Sequence, residues 1–356
     1  MARPSTELPR LWRMTLVITL LLQLHLSNAF FNNASFPGAR LPPSMRPKVR
    51  VTQNFHDCAA HQDTIERSYV DAHAMIRPAL QRVETLRIFL QRDPTADTEI
   101  SGIDRSTLYT FETFFGKLYR APATSHPEGF ERLDILKDRL NRLDIHYTSH
   151  RLEIWCSENF LTKLPQHLIP PDKGDEYLSK LYFDNRPADL GGQDRLYTPI
   201  RCGGENKVKA MTYSYGVFKS PSGSYDLVVL CPWYFGEWFS DPPVLLHFPM
   251  GELRTHRFED RSMHLDRFAH ESLAVTLIHE LSHSLRLFPY PHRATRDTGG
   301  YGFKQITKTA DQYPEDAIYN ADNTAYFVLA MYLNLFDWST GFNTPMFADA
   351  PFGTSP

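Results

Sequence analysis

The sequence predicts an α+β fold: helices, then a small antiparallel sheet, then helices again. Three observations carry this. Apolar residues recur at helical spacing over residues 58–92 and 105–145, the spacing changes to strand-like alternation near residues 151–156 and again over 207–231, and helical spacing returns at 268–287 and 315–336.

Each element has its own pattern. Ile65, Tyr69, Ala72, Ile76, Leu80, Val83, Leu86 and Leu90 make one apolar stripe, with Pro78 as a kink or break between one or two helices. Phe111, Phe114, Phe115, Leu118, Leu133, Leu136 and Leu140 continue the helical half. Arg151–Cys156 alternates as a strand; Lys207–Lys219 and Tyr225–Cys231 read as two more, joined by the turn at Ser220–Ser224. The Pro- and Gly-rich stretches 163–200 and 240–266 read as loops. Phe268–Leu287 and residues 315–336 read as helices, and no internal repeat is present.

The chain has 356 residues, 42% apolar and 22% charged, which excludes disorder, collagen-like repeats and a disulfide miniprotein. Net charge is −3; Arg3, Arg10 and Arg13 against Glu7 give the first 29 residues +2, so the remainder is −3 − 2 = −5. Nothing in that balance marks a nucleic-acid surface, and no nucleic-acid partner is expected.

Those arginines precede an apolar run, Met14–Leu26, followed by small residues up to Ala29. This reads as a signal peptide over residues 1–29, cut after Ala29, because the run is short for a membrane span. Residues 30–50, with Pro37, Pro42, Pro43 and Pro47, read as an irregular leader or short propeptide. A folded domain is expected over 51–340 and a tail over 341–356. The mature chain is then secreted, extracellular and free of the membrane. In that compartment Cys58, Cys156, Cys202 and Cys231 are expected to form two disulfides, and their spacing leaves all three pairings open. Asn33-Ala34-Ser35 is a glycosylation sequon, with Asn33 the acceptor.

The motif that carries chemistry is His279-Glu280-Leu281-Ser282-His283. Histidines four apart share one helix face, so both imidazoles can converge on one metal ion; the glutamate between them can take a proton from an attacking water. Leu273, Val275, Leu277, Ile278, Leu281 and Leu285 make the helix a buried one, where polar groups need a purpose. A catalytic zinc needs a third protein ligand. His292, Asp297, Asp311, Glu315, Asp316 and Asp322 are the candidates. Asp297 stands in a glycine-rich turn able to bring a carboxylate back to the helix, and Tyr301 in the same turn offers a phenol to a developing oxyanion.

With these residues the chain resembles the deuterolysins and peptidyl-Lys metalloendopeptidases, the aspzincin zinc peptidases, whose signature is HExxH followed by a GTxDxxYG-like turn. His279, Glu280, His283, Thr295, Asp297, Tyr301 and Gly302 match. Ala294 replaces the first glycine, and one extra residue separates Asp297 from Tyr301. Cys58 before a long helix, Phe114-Phe115-Gly116, the strand end Leu230–Phe235 and the segment Asn320-Ala321-Asp322 extend the likeness to residues 55–335.

The resemblance implies a zincin-like metallopeptidase domain and a secreted zinc-dependent metalloendopeptidase that cuts protein or peptide substrates; a monomer is expected. It implies one zinc per chain on His279, His283 and Asp297, with Glu280 as base and Tyr301 as oxyanion donor; Glu315 is the rival third ligand. It implies the pairs Cys58–Cys156 and Cys202–Cys231. It also makes Asp322 a substrate-binding residue for a Lys or Arg after the cut. That preference is relaxed, because Ala325 stands where peptidyl-Lys members carry a second acid. The alternative is a secreted zinc-binding module of the same fold with weakened catalysis.

Overall fold

The computed structural model describes residues 54–92, 102–118, 127–149, 152–163, 181–187, 195–197, 202, 208–214, 226–235, 263–288, 295, 297, 300–333 and 335–345. All of them lie in one compact unit, Val51–Pro356. The expected signal peptide, the leader, Asn33, His292 and Ala294 lie outside the described residues.

The architecture is α+β. Strand β1 (Asn54–His56) leads into helices α1 (Gln62–Arg92), α2 (Gly102–Phe115) and α3 (Pro127–Ser149). Helix α1 is continuous through Pro78, although a break was a reading of the sequence. The predicted stripe is its core face: Ile65, Ala72, Ile76, Val83 and Leu86 are fully buried. That packing holds the helix together across the missing backbone donor.

Strand β2 (Leu152–Trp155) follows, then β3 (Leu161–Lys163), β4 (Leu181–Asp184) and β5 (Arg195–Tyr197), then β6 (Ala210–Ser214) and β7 (Asp226–Leu230). The expected small antiparallel sheet is instead mixed, with strand order β1-β2-β7-β6. β1 pairs with β2, and β2 with β7, in parallel; only β6 runs antiparallel to β7. Parallel neighbours need long crossovers, and α1–α3 supply the first. Alternation alone does not reveal strand direction, which is why the sequence reading missed it. The stretch 163–200 is also more than a loop, since β4 and β5 lie within it and form an antiparallel sheet with β3 at its leading edge.

The predicted helix 268–287 is two helices, α4 (Leu265–Glu271) and α5 (Leu273–Ser282). Ser272 divides them: it is extended (φ −104°, ψ 114°), and its side chain accepts from Val275 N. Three further helices follow, α6 (Phe303–Gln312), α7 (Pro314–Ala317) and α8 (Ala321–Tyr332), the last capped by Asn320 accepting from Asn323 N. A short pair, β8 (Phe336–Asp337) and β9 (Thr344–Pro345), closes the order. Helix α5 packs against α1, α8 and β6. Its apolar residues Leu273, Leu277, Ile278 and Leu281 join the main core. No helix among the described residues is long and apolar enough to cross a membrane.

Both disulfides have the pairing that the resemblance implied, Cys58–Cys156 and Cys202–Cys231. The first ties the residues just past the ends of parallel neighbours β1 and β2 and closes a separation of 98 residues. Its removal in Cys58→Ser/Cys156→Ser is expected to cost about 2–5 kcal/mol. Urea unfolding of the oxidised protein and the double variant checks this, and equal midpoints would deny the bridge a stabilising role.

Candidate metal centre

Helix α5 ends at Ser282, and His283 is its C-cap with helical dihedrals (φ −81°, ψ −7°). His279 and His283 therefore keep the one-turn relation of a helix, and their Nε2 atoms approach to 3.2 Å. Each ring is fixed from behind. His279 Nδ1 lies 2.6 Å from Asp322 Oδ1, and His283 Nδ1 lies 3.0 Å from the carbonyl oxygen of Thr295. A carboxylate and a carbonyl only accept, so both Nδ1 atoms carry a proton; a neutral ring then presents its Nε2 lone pair, and a charged ring donates from Nε2 to Asp297.

Asp297 completes the group. Its Oδ1 lies 3.3 Å from His279 Nε2 and 3.2 Å from His283 Nε2. With both rings neutral, two lone pairs and a carboxylate oxygen face one point, and a positive charge belongs there. Tetrahedral zinc with bonds of about 2.0–2.1 Å sets its ligand atoms about 3.3 Å apart, and this triangle has that edge. Among the described residues these three are the His, Cys, Asp or Glu group able to hold a metal. Glu315 is turned elsewhere, accepting from Arg132 Nη1 at 2.7 Å.

The titration of the site follows from the same demand. Burial opposes a charge on His279, but hydrogen bonds to Asp297 and Asp322 outweigh it and raise its pKa well above the ordinary value. Burial would raise the Asp297 pKa; hydrogen bonds from the two histidines hold it far below the usual carboxylate range. Glu280, buried between them, has its pKa raised by desolvation, and the neighbouring histidines offset only part of that. Thr212 on β6 stands 2.8 Å from Glu280 O and 2.9 Å from Glu280 Oε2.

The turn carrying Asp297 is anchored at both ends. Thr295 N donates to Ser282 O at 3.0 Å. At the other end Gly302 N donates to Asp322 Oδ2 at 3.1 Å, and Asp266 Oδ1 accepts from Phe303 N and from the Tyr326 hydroxyl, both at 2.7 Å. Gly300 (φ 94°) and Gly302 (φ 86°) flank Tyr301 in the left-handed region, where a side chain is strained. Tyr301 is 55% exposed and donates to Asp297 Oδ2 at 2.9 Å. Burial first, then the Asp297 charge, raises its pKa.

The structure thus brings His279, Glu280, His283, Asp297, Tyr301 and Asp322 together. Both Asp322 oxygens are engaged, one on His279 and one on Gly302 N. Thr212 and the carbonyl of Thr295 were not singled out from the sequence, since neither hydroxyl position in a strand nor a backbone oxygen carries a motif.

Residues 258–329 match the aspzincin family of lysine-specific metallo-endopeptidases. The match covers the segment that holds α5, the Asp297 turn and most of α8, and agrees with the likeness carried by the motif. A search of curated proteins finds no match. Among solved structures the chain matches a zinc peptidase from Grifola frondosa at 17% identity, over 74% of this chain and 94% of that one, with a TM-score of 0.32.

Asp322→Ala removes the acceptor of both His279 Nδ1 and Gly302 N. Charge-assisted hydrogen bonds contribute about 1.5–3 kcal/mol each, so a loss of about 3 kcal/mol is expected. Denaturant unfolding of the metal-free protein measures it, and a change under about 0.5 kcal/mol, the range of ordinary surface substitutions, would contradict this bracing.

Proposed function

We propose that the protein is a secreted zinc metalloendopeptidase. The observation that carries this reading is the triangle of His279 Nε2, His283 Nε2 and Asp297 Oδ1, with edges of 3.2–3.3 Å and Glu280 beside it. The family match over residues 258–329 supports the same chemistry, because that family consists of zinc-dependent peptidases. Two disulfides and the apolar leader support secretion.

In this reading His279, His283 and Asp297 hold the zinc, which when bound polarises the scissile carbonyl and lowers the pKa of water. Glu280 is the base. Its raised pKa suits a group that takes a proton from the attacking water and returns it to the leaving amine. Asp322 and the Thr295 carbonyl keep the two imidazoles in the tautomer that leaves Nε2 open. Tyr301 stands where its hydroxyl, now donating to Asp297, can turn toward an oxyanion. That same hydrogen bond to Asp297 favours the second reading, a zinc-binding module with weakened catalysis.

The preference after the cut is proposed as relaxed toward Lys and Arg. The Asp322 charge remains to attract a cation, but its oxygens are occupied and buried Ala325 supplies no second carboxylate.

Two experiments test the reading. The wild-type protein is expected to bind zinc and to cut a denatured protein in a chelator-sensitive way. His279→Ala and Asp297→Ala are expected to lose the metal, and Glu280→Gln to keep it while turnover falls by about 10²–10⁴-fold. Zinc retained without any cleavage by the wild type would favour the binding module; full zinc in Asp297→Ala would reject the ligand set. A sequenced peptide library is expected to show basic residues enriched, not exclusive, after the cut. Equal use of acidic and basic residues would remove the preference.

A further inference from the structure

Thr212 is not part of the signature motif, yet its hydroxyl sits between two oxygens of one residue, 2.8 Å from Glu280 O and 2.9 Å from Glu280 Oε2. Strand alternation places it there. On β6, Met211 and Tyr213 pack toward the small cluster of Phe160, Leu227 and Val229, so Thr212 faces the opposite side, where β6 meets α5. The ladder to β7 fixes the strand: Thr212 is paired with Val228, a fully buried residue.

A hydroxyl has one proton and can donate to one acceptor at a time. With Glu280 as a carboxylate, Thr212 donates to Oε2. The backbone oxygen of Glu280 keeps its bond from His283 N at 3.0 Å.

From this geometry we infer that Thr212 is a positioning residue for Glu280: its hydroxyl, held between Glu280 O and Oε2, keeps the carboxylate in line with the site. The inference rests on the peptidase reading for its rate consequence, but not for its geometry. Thr212 acts through Glu280 and has no contact with the histidines or Asp297 among the hydrogen bonds described.

Thr212→Val keeps the shape and removes the hydroxyl; Thr212→Ser keeps the hydroxyl. In the zinc-loaded enzyme Thr212→Val is expected to lower kcat by about 10–100-fold, as one hydrogen bond to a charged group lost in turnover. KM, zinc content and chelator resistance stay at wild-type values, and Thr212→Ser returns kcat to within about threefold. Wild-type kcat in Thr212→Val, a loss shared by Thr212→Ser, or a loss explained by lower zinc content would overturn the inference. Crystal structures of the zinc-loaded proteins give a readout without turnover. The Glu280 carboxylate is expected in place in wild type and Thr212→Ser, and displaced in Thr212→Val. An undisplaced carboxylate in Thr212→Val rejects the positioning role even if the protein proves not to be a peptidase. Absent cleavage by the wild type with the carboxylate displaced in Thr212→Val rejects the peptidase reading alone. If Thr212→Val does not fold, Thr212→Ala is read in the same way.

Discussion

Two imidazole lone pairs and a carboxylate oxygen, each about 3.2 Å from the others, repel unless something positive sits among them. Everything else near this point serves to keep them there. A histidine free to rotate would point its nitrogen into water. Here Asp322 holds one ring and the Thr295 carbonyl holds the other. Those two anchors come from different parts of the chain, α8 and the turn after α5, so the arrangement exists only when both are docked.

The fold supplies that docking by burying α5. Its apolar side enters the core against α1 and α8, and the polar side is left to β6 and the Asp297 turn. Asp266 then joins α4, the start of α6 and Tyr326 of α8 through two hydrogen bonds to one oxygen. Asp322 adds a second tie from α8 to Gly302. Each carboxylate does two tasks, bracing the backbone of the turn and setting a side chain.

Much of this was legible in the sequence. The HExxH spacing located α5 and its two rings, because one helical turn is a fixed distance. The glycine-rich turn made Asp297 and Tyr301 candidates, and resemblance to a family pattern chose Asp297 among several acids; the cysteine pairs came from resemblance alone, since spacing had left three pairings open. Strand direction was not legible: alternation in β1, β2 and β7 is the same whether neighbours run parallel or antiparallel. Helix α6 was missed because Lys304, Gln305, Lys308 and Gln312 dilute its apolar period. The split at Ser272 was missed because the apolar run continues straight across it, and only the cap hydrogen bond reveals the break. Asp322 was singled out as a substrate-binding residue; a sequence does not show where its two oxygens point, and here they face His279 and Gly302 N.

The parallel pairing of β1 with β2 joins residues almost a hundred positions apart, and β6 completes the sheet from still farther along the chain. Contacts of such long range form slowly, since loop closure must precede any reward. Thr212, His279, Asp297 and Asp322 belong to four separate segments that meet only after this sheet and the helices have closed. A chain that ends before these segments therefore carries the motif without the centre.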